Sequence, residues 1–135
     1  MNVKEALEFV NKGTVRGVVT GTYTDQEFPV GSIHWQGDVG FLRVANKTGA
    51  RQVQNRAQLA PGSSRGSRHI INSCVQYKMF QRPERDLTEG PIVEADSELR
   101  VDHPDHGTTT FPAGLYQILY QRQVTSDGRI ERVRD

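Results

Sequence analysis

The chain has 135 residues and 35% hydrophobic residues, enough for one domain with a modest core. Seventeen Lys and Arg against sixteen Asp and Glu give a net charge of +1. That balance is not the strongly basic one of a dedicated nucleic-acid binder. A single cysteine, Cys74, excludes an intramolecular disulfide framework.

Low apolar content with 13 glycines suits a thin all-β fold, or an oligomer whose neighbours complete the core. No apolar run approaches the ~20 residues of a membrane helix. The start, Met1-Asn2-Val3-Lys4-Glu5, lacks the charged and apolar regions of a signal peptide. The expectation is a soluble protein of a reducing compartment, with no membrane partner.

Residues 2–12 read as one short helix. Asn2 is the N-cap, Glu5 completes a capping box, and Val3, Leu7 and Val10 share a face up to the stop at Gly13. From there the pattern is strands. Thr14 to Thr24 is rich in Thr, Val and Gly. Val30 to Trp35 and Val39 to Ala45 are joined by the turn Gln36-Gly37-Asp38. Residues 46–68 hold few large apolar side chains and contain Pro61-Gly62-Ser63-Ser64. They read as a polar basic arm or long loop that contacts a partner, because the segment has too little to bury to offset its own ordering.

Strand patterning resumes at His69 to Ile71 and runs on through Val75, Tyr77 and Met79, with Cys74 expected buried and inert beside it. Pro91 to Ala95 and Leu99 to His103 follow, with Leu99, Val101 and His103 on one face. Leu115 to Val124 is the longest strand. The turn Ser126-Asp127-Gly128 predicts an antiparallel return over residues 129–134. The fold expected is therefore mainly β: an antiparallel β-sandwich or small barrel, jelly-roll-like, with one short N-terminal helix, all in a single domain over residues 1–135.

The net charge hides a division. Val39 to Pro83 has no acid but carries Arg43, Lys47, Arg51, Arg56, Arg65, Arg68, Lys78 and Arg82, whereas Glu84 to His106 is mostly acidic. Such a split fits head-to-tail assembly, with Arg51, Arg56, Arg65 and Arg68 of one copy against Glu94, Asp96 and Glu98 of the next. It also fits nucleic-acid contact through residues 43–82, although the arm has no aromatic residue to stack on bases. The bland alternative is that the two segments pair within one fold or face solvent.

His103 and His106 flank Pro104-Asp105 on a turn, and His69 can arrive from a neighbouring strand. Imidazoles with a carboxylate suit a divalent cation such as Zn, Fe or Mn. If a metal binds, the ligands expected are His69, His103, His106 and Asp105. The same residues also make ordinary turns, in which Asp caps, Pro stiffens and His bonds backbone carbonyls.

Several pieces resemble a set of small uncharacterised proteins from bacterial and phage sequences. They are Gln36-Gly37-Asp38-Val39, Gly66-Ser67-Arg68-His69, His103-Pro104-Asp105-His106, Pro112-Ala113-Gly114-Leu115-Tyr116, Tyr120-Gln121-Arg122 and Arg132-Val133-Arg134-Asp135. Similar proteins often have Gly-His-x-His where this chain has Gly66-Ser67-Arg68-His69, so one histidine is absent here. The resemblance implies a shared β-fold and names no activity. The leading expectation is a non-enzymatic assembly protein, such as a phage virion accessory or capsid-decorating protein, acting as a homo-oligomer or in a larger assembly. The alternatives are a cupin-like metal enzyme or sensor and a nucleic-acid accessory protein.

Overall fold

The computed structural model describes residues 21–60, 69–84, 88–124, 128 and 130–132. The expected helix at 2–12 and most of the strand at 14–24 lie outside these residues. The described chain is mainly β, in thirteen strands: β1 (Gly21–Thr22), β2 (Ile33–Gln36), β3 (Val39–Val44), β4 (Arg51–Val53), β5 (Gln58–Ala60), β6 (His69–Ile71), β7 (Tyr77–Gln81), β8 (Glu89–Ala95), β9 (Leu99–His103), β10 (Gly107–Phe111), β11 (Gly114–Tyr120), β12 (Arg122–Val124) and β13 (Ile130–Arg132).

They form a five-stranded sheet in the order β1-β10-β9-β6-β5 and a six-stranded sheet in the order β2-β3-β11-β8-β7-β4. Neither sheet closes into a barrel among the described residues. All pairings are antiparallel except β1 with β10, so the first sheet is mixed. β12 and β13 pair antiparallel as a separate ribbon, as the Gly128 turn predicts.

The two large sheets share one core, the arrangement of a sandwich. Val101, Leu99 and Phe111 from one sheet and Val39, Phe41, Val93, Tyr116 and Ile118 from the other are fully buried in a single cluster. Aromatic rings make up for the low apolar content. Phe111 lies 4.9 Å from Phe41, 5.3 Å from both Phe28 and Tyr116, and 5.9 Å from Tyr23. Buried aromatics remove large areas from water, and such ring pairs add about 0.5–1.5 kcal/mol each beyond the area term.

Within the span 46–68, β4 joins the edge of the six-stranded sheet and β5 the edge of the other. Few apolar side chains are needed, because backbone and amide bonds supply the order. Asn55 Nδ2 donates to the Tyr77 carbonyl and its Oδ1 accepts from the Met79 N–H, so the Asn55 amide acts as a rung between strands. Leu59 is buried, and Tyr120 Oη donates to its carbonyl at 2.6 Å. Residues 61–68 are outside the described set.

Cys74 is exposed, not buried. The pattern from His69 to Met79 is divided between two strands in different sheets, β6 and β7, and residues 72–76 form the crossing between them. Asn72 organises that crossing. Its Oδ1 accepts from the Cys74 N–H at 2.9 Å and its Nδ2 donates to Asp102 Oδ2 at 3.0 Å. β10 follows directly on the turn at His103 to His106. Thr108, Thr109 and Thr110 are β-branched and alternate in burial.

The β2–β3 hairpin has the two-residue turn its sequence predicts. Gly37 has φ 61 and Asp38 a negative φ, the first-position signature of a type II′ turn. This turn fixes the register and so decides which way β2 faces. His34 and Gln36 are buried, while Ile33 and Trp35 are exposed. The strand is thus inverted, polar residues inward and apolar residues outward. Trp35 lies over Gly40, where an added Cβ would come within 2.9 Å of two ring carbons, so only glycine lets the ring lie flat on the sheet.

Candidate functional site: a buried histidine, aspartate and glutamine cluster

The inverted face of β2 carries polar groups into one end of the sandwich. Gln36 ends β2, Asp38 sits in the hairpin turn, His69 opens β6, and His103 ends β9. Gln36, Asp38, His69 and His103 are all 4% exposed or less, and His106 in the β9–β10 loop is half-buried. Buried polar groups need partners, and Gln36, His69 and Asp38 provide them for one another.

Gln36 Nε2 donates to the carbonyls of Val101 at 3.1 Å and Gly107 at 3.0 Å. Both amide hydrogens are then used, which fixes Oε1 as the atom 2.9 Å from His69 Nδ1. His69 therefore carries a hydrogen on Nδ1. Its Nε2 lies 2.9 Å from Asp38 Oδ1, so one proton lies between the imidazole and the carboxyl group. This pair ties the hairpin turn to β6, and the Gln121 N–H adds a bond to the Asp38 carbonyl at 3.1 Å. His103 Nδ1 accepts the N–H groups of Asp105 and His106, each at 3.0 Å, and so shapes the β9–β10 loop.

The three predicted histidines do come together. The ring of His103 lies 4.4 Å from that of His69 and 4.3 Å from that of His106. The rings are tilted against one another, at interplanar angles of 46° and 36°. Both nitrogens of His69 are already bonded within the protein. No group of three His, Cys, Asp or Glu among the described residues is placed to hold a metal ion. Asp105, the predicted fourth ligand, is exposed in the loop. The carboxylate in the cluster is Asp38, which sequence reasoning treated only as a turn residue.

His34, one turn of the pleat from Gln36, lies farther into the core. Tyr23 Oη is 2.9 Å from its Nδ1, and Thr109 Oγ1 is 3.4 Å from its Nε2. Burial pushes its pKa down to about 4 and pushes that of Tyr23 up. A neutral tyrosine then donates to Nδ1, and the imidazole hydrogen on Nε2 faces Thr109. A polar residue alternating with Ile33 and Trp35 was the signal available for this inward face.

The predicted partner-binding residues divide. Arg51 and Arg56 are exposed on and beside β4. Asp96 and Glu98 are exposed in the β8–β9 turn. Glu94 is engaged internally by Lys47, whose Nζ is 2.6 Å from its Oε2 and 4.1 Å from the centre of the Phe80 ring. Arg65 and Arg68 lie outside the described residues. Among the described residues no helix is long and apolar enough to cross a membrane.

A family model described as a domain of unknown function, DUF8820, matches residues 35–121, and the chain belongs to that family. The matched span runs from Trp35 on β2 to Gln121 just after β11 and contains Gln36, Asp38, His69, His103 and His106. No curated protein and no solved structure matches the chain.

Proposed function

We propose that this family member is a non-enzymatic assembly protein that acts through protein–protein contact, as a virion accessory or capsid-decorating protein does, and that strand β2 is its contact surface. The observation that carries this reading is the inversion of β2. Val30, Ile33 and Trp35 are 57%, 45% and 40% exposed, on and beside a strand at the edge of the six-stranded sheet.

Edge strands are usually guarded by charge, proline or a bulge that discourages pairing. From Val30 to Gln36 there is no charged side chain and no proline. Half-buried Leu42 pairs with Ile33 across the hairpin and extends the apolar strip onto β3. Trp is enriched at interface cores, where a large flat ring excludes water at little entropic cost. The buried Gln36–His69–Asp38 bonds hold the hairpin rigid, so the strip is presented in one geometry. The head-to-tail charge contact falls short of this, since Glu94 is already paired.

Sedimentation velocity over a range of concentrations tests the reading. The wild-type chain should associate with copies of itself, and Ile33→Lys with Trp35→Lys should leave a folded monomer with an unchanged far-ultraviolet spectrum. A wild-type chain monomeric throughout, or association untouched by the double substitution, overturns it.

A further inference from the structure

At the opposite edge of the six-stranded sheet, Arg51, Val53, Gln81, Arg82 and Pro83 line a cleft of about 320 Å³. None of these residues is acidic. Neither Arg51 nor Arg82 takes part in any of the ion pairs formed among the described residues, which use Arg43, Lys47, His69 and Arg100. Two guanidiniums thus share one small cleft, and among the described residues no carboxylate pairs with either of them. Such an arrangement is costly alone and favourable with an anion present.

Arg82 is held in place. Its Nη1 donates to Gln117 Oε1 at 3.1 Å and its Nε to the Thr48 carbonyl at 3.4 Å. Gln117 is itself buried and fixed, because its Nε2 donates to the carbonyls of Gly90 at 2.8 Å and Ile118 at 2.9 Å. These bonds use one donor on each edge of the Arg82 guanidinium, and no bond among the described residues uses Nη2. Arg51 on β4 is paired in register with Gln81 on β7, so its backbone position is set while its side chain is exposed. Val53 and Pro83 add apolar surface, which strengthens charge interactions beside it.

We propose that this cleft binds a small molecule bearing an oxyanion, a phosphate or carboxylate group, gripped between Arg51 and Arg82. Guanidinium forks match both groups in geometry and charge. The volume is at the low end of small-molecule sites, which fits a compact metabolite and not a stretch of polymer. This site is distinct from the β2 contact surface and shares no residue with it.

The test follows the arginine Nε–H resonances of the full chain during titration at constant ionic strength, with inorganic phosphate in one arm, citrate in a second and chloride as the control. The expected result is a saturable shift at Arg51 and Arg82 in at least one anion arm and none in chloride. The arm that saturates distinguishes a phosphate from a carboxylate ligand. Arg51→Gln, at an exposed position that leaves the fold intact, should weaken binding at least tenfold, while Arg56→Gln, outside the cleft, should leave it unchanged. Shifts that stay linear in both anion arms, or that are equal in Arg51→Gln, overturn the proposal. Tighter binding of a DNA oligonucleotide, lost equally in Arg51→Gln and Arg56→Gln, would also overturn it and point to an extended nucleic-acid surface.

Discussion

Burial of His34 should make the stability of the whole domain depend on pH. Its imidazole is 3% exposed, between the Tyr23 hydroxyl and Thr109, with the Tyr23 and Phe111 rings 5.4 Å and 5.7 Å away. The fold accepts only the neutral ring, which is why the pKa falls from 6.5 to about 4. An unfolded chain takes up the proton below pH 6.5, but the folded chain does not until about pH 4. Stability is therefore full above 6.5, declines as the pH drops through this window, and levels off below it. At 1.36 kcal/mol per pH unit of separation, the loss is about 2 kcal/mol at pH 5 and about 3 kcal/mol by pH 4. Urea unfolding of the wild type and His34→Gln from pH 8 to pH 4 isolates this contribution, since the other histidines are common to both. The variant should be less stable at pH 8, because it loses ring packing, and the gap should narrow by about 3 kcal/mol on acidification. A gap that is constant across the range would refute the assignment.

Three further outcomes are expected. Asp38→Ala leaves the buried His69 without its carboxylate and should cost about 3 kcal/mol or more in urea unfolding; a loss below about 1 kcal/mol would show that the pair contributes little. Tyr120→Phe strips the donor from the Leu59 carbonyl and should cost about 1–3 kcal/mol. It should also speed amide exchange in β5 ahead of the rest of the sheet, and uniform exchange would contradict this. Cys74 should react with a thiol reagent in the native protein nearly as fast as in urea, because its side chain is exposed in the crossing turn; strong native protection would place it back in the interior.

Elements that signal through alternating apolar side chains were legible in the sequence. Leu99, Val101 and His103 share the buried face of β9, and Tyr116, Ile118 and Tyr120 that of β11, as period-two spacing requires. β4 and β5 were not legible, because their order comes from the Asn55 amide and the Tyr120 hydroxyl, groups whose reach across the fold leaves no local pattern. β10 did carry a signal in its three threonines, but the glycine and proline on either side suggested turns. In the candidate site, the meeting of His69 with His103 followed from adjacent strands, since β6 pairs with β9. The role of Asp38 did not, because its partner His69 is distant in sequence and the turn composition around it has a sufficient local explanation. The direction of β2 was ambiguous for the same reason. Alternation shows that Ile33 and Trp35 share a face, and only tertiary pairing shows that this face is the outer one.

The place of β11 has a consequence for how the protein is made. It lies between β3 and β8 and joins the two halves of the larger sheet, with Val44 opposite Leu115 on one side and Glu94 opposite Leu115 on the other. On the ribosome, the β2–β3 hairpin emerges long before β11, and the β7–β8 pair emerges before it by the length of β9 and β10. Until residues 114–120 leave the exit tunnel, each half presents a bare edge and a half-covered apolar face. Loop closure over such a span is slow compared with hairpin formation. The vulnerable interval in the life of this chain is therefore the time between synthesis of β8 and arrival of β11, when a chaperone, or a second nascent copy, would find the most surface to hold.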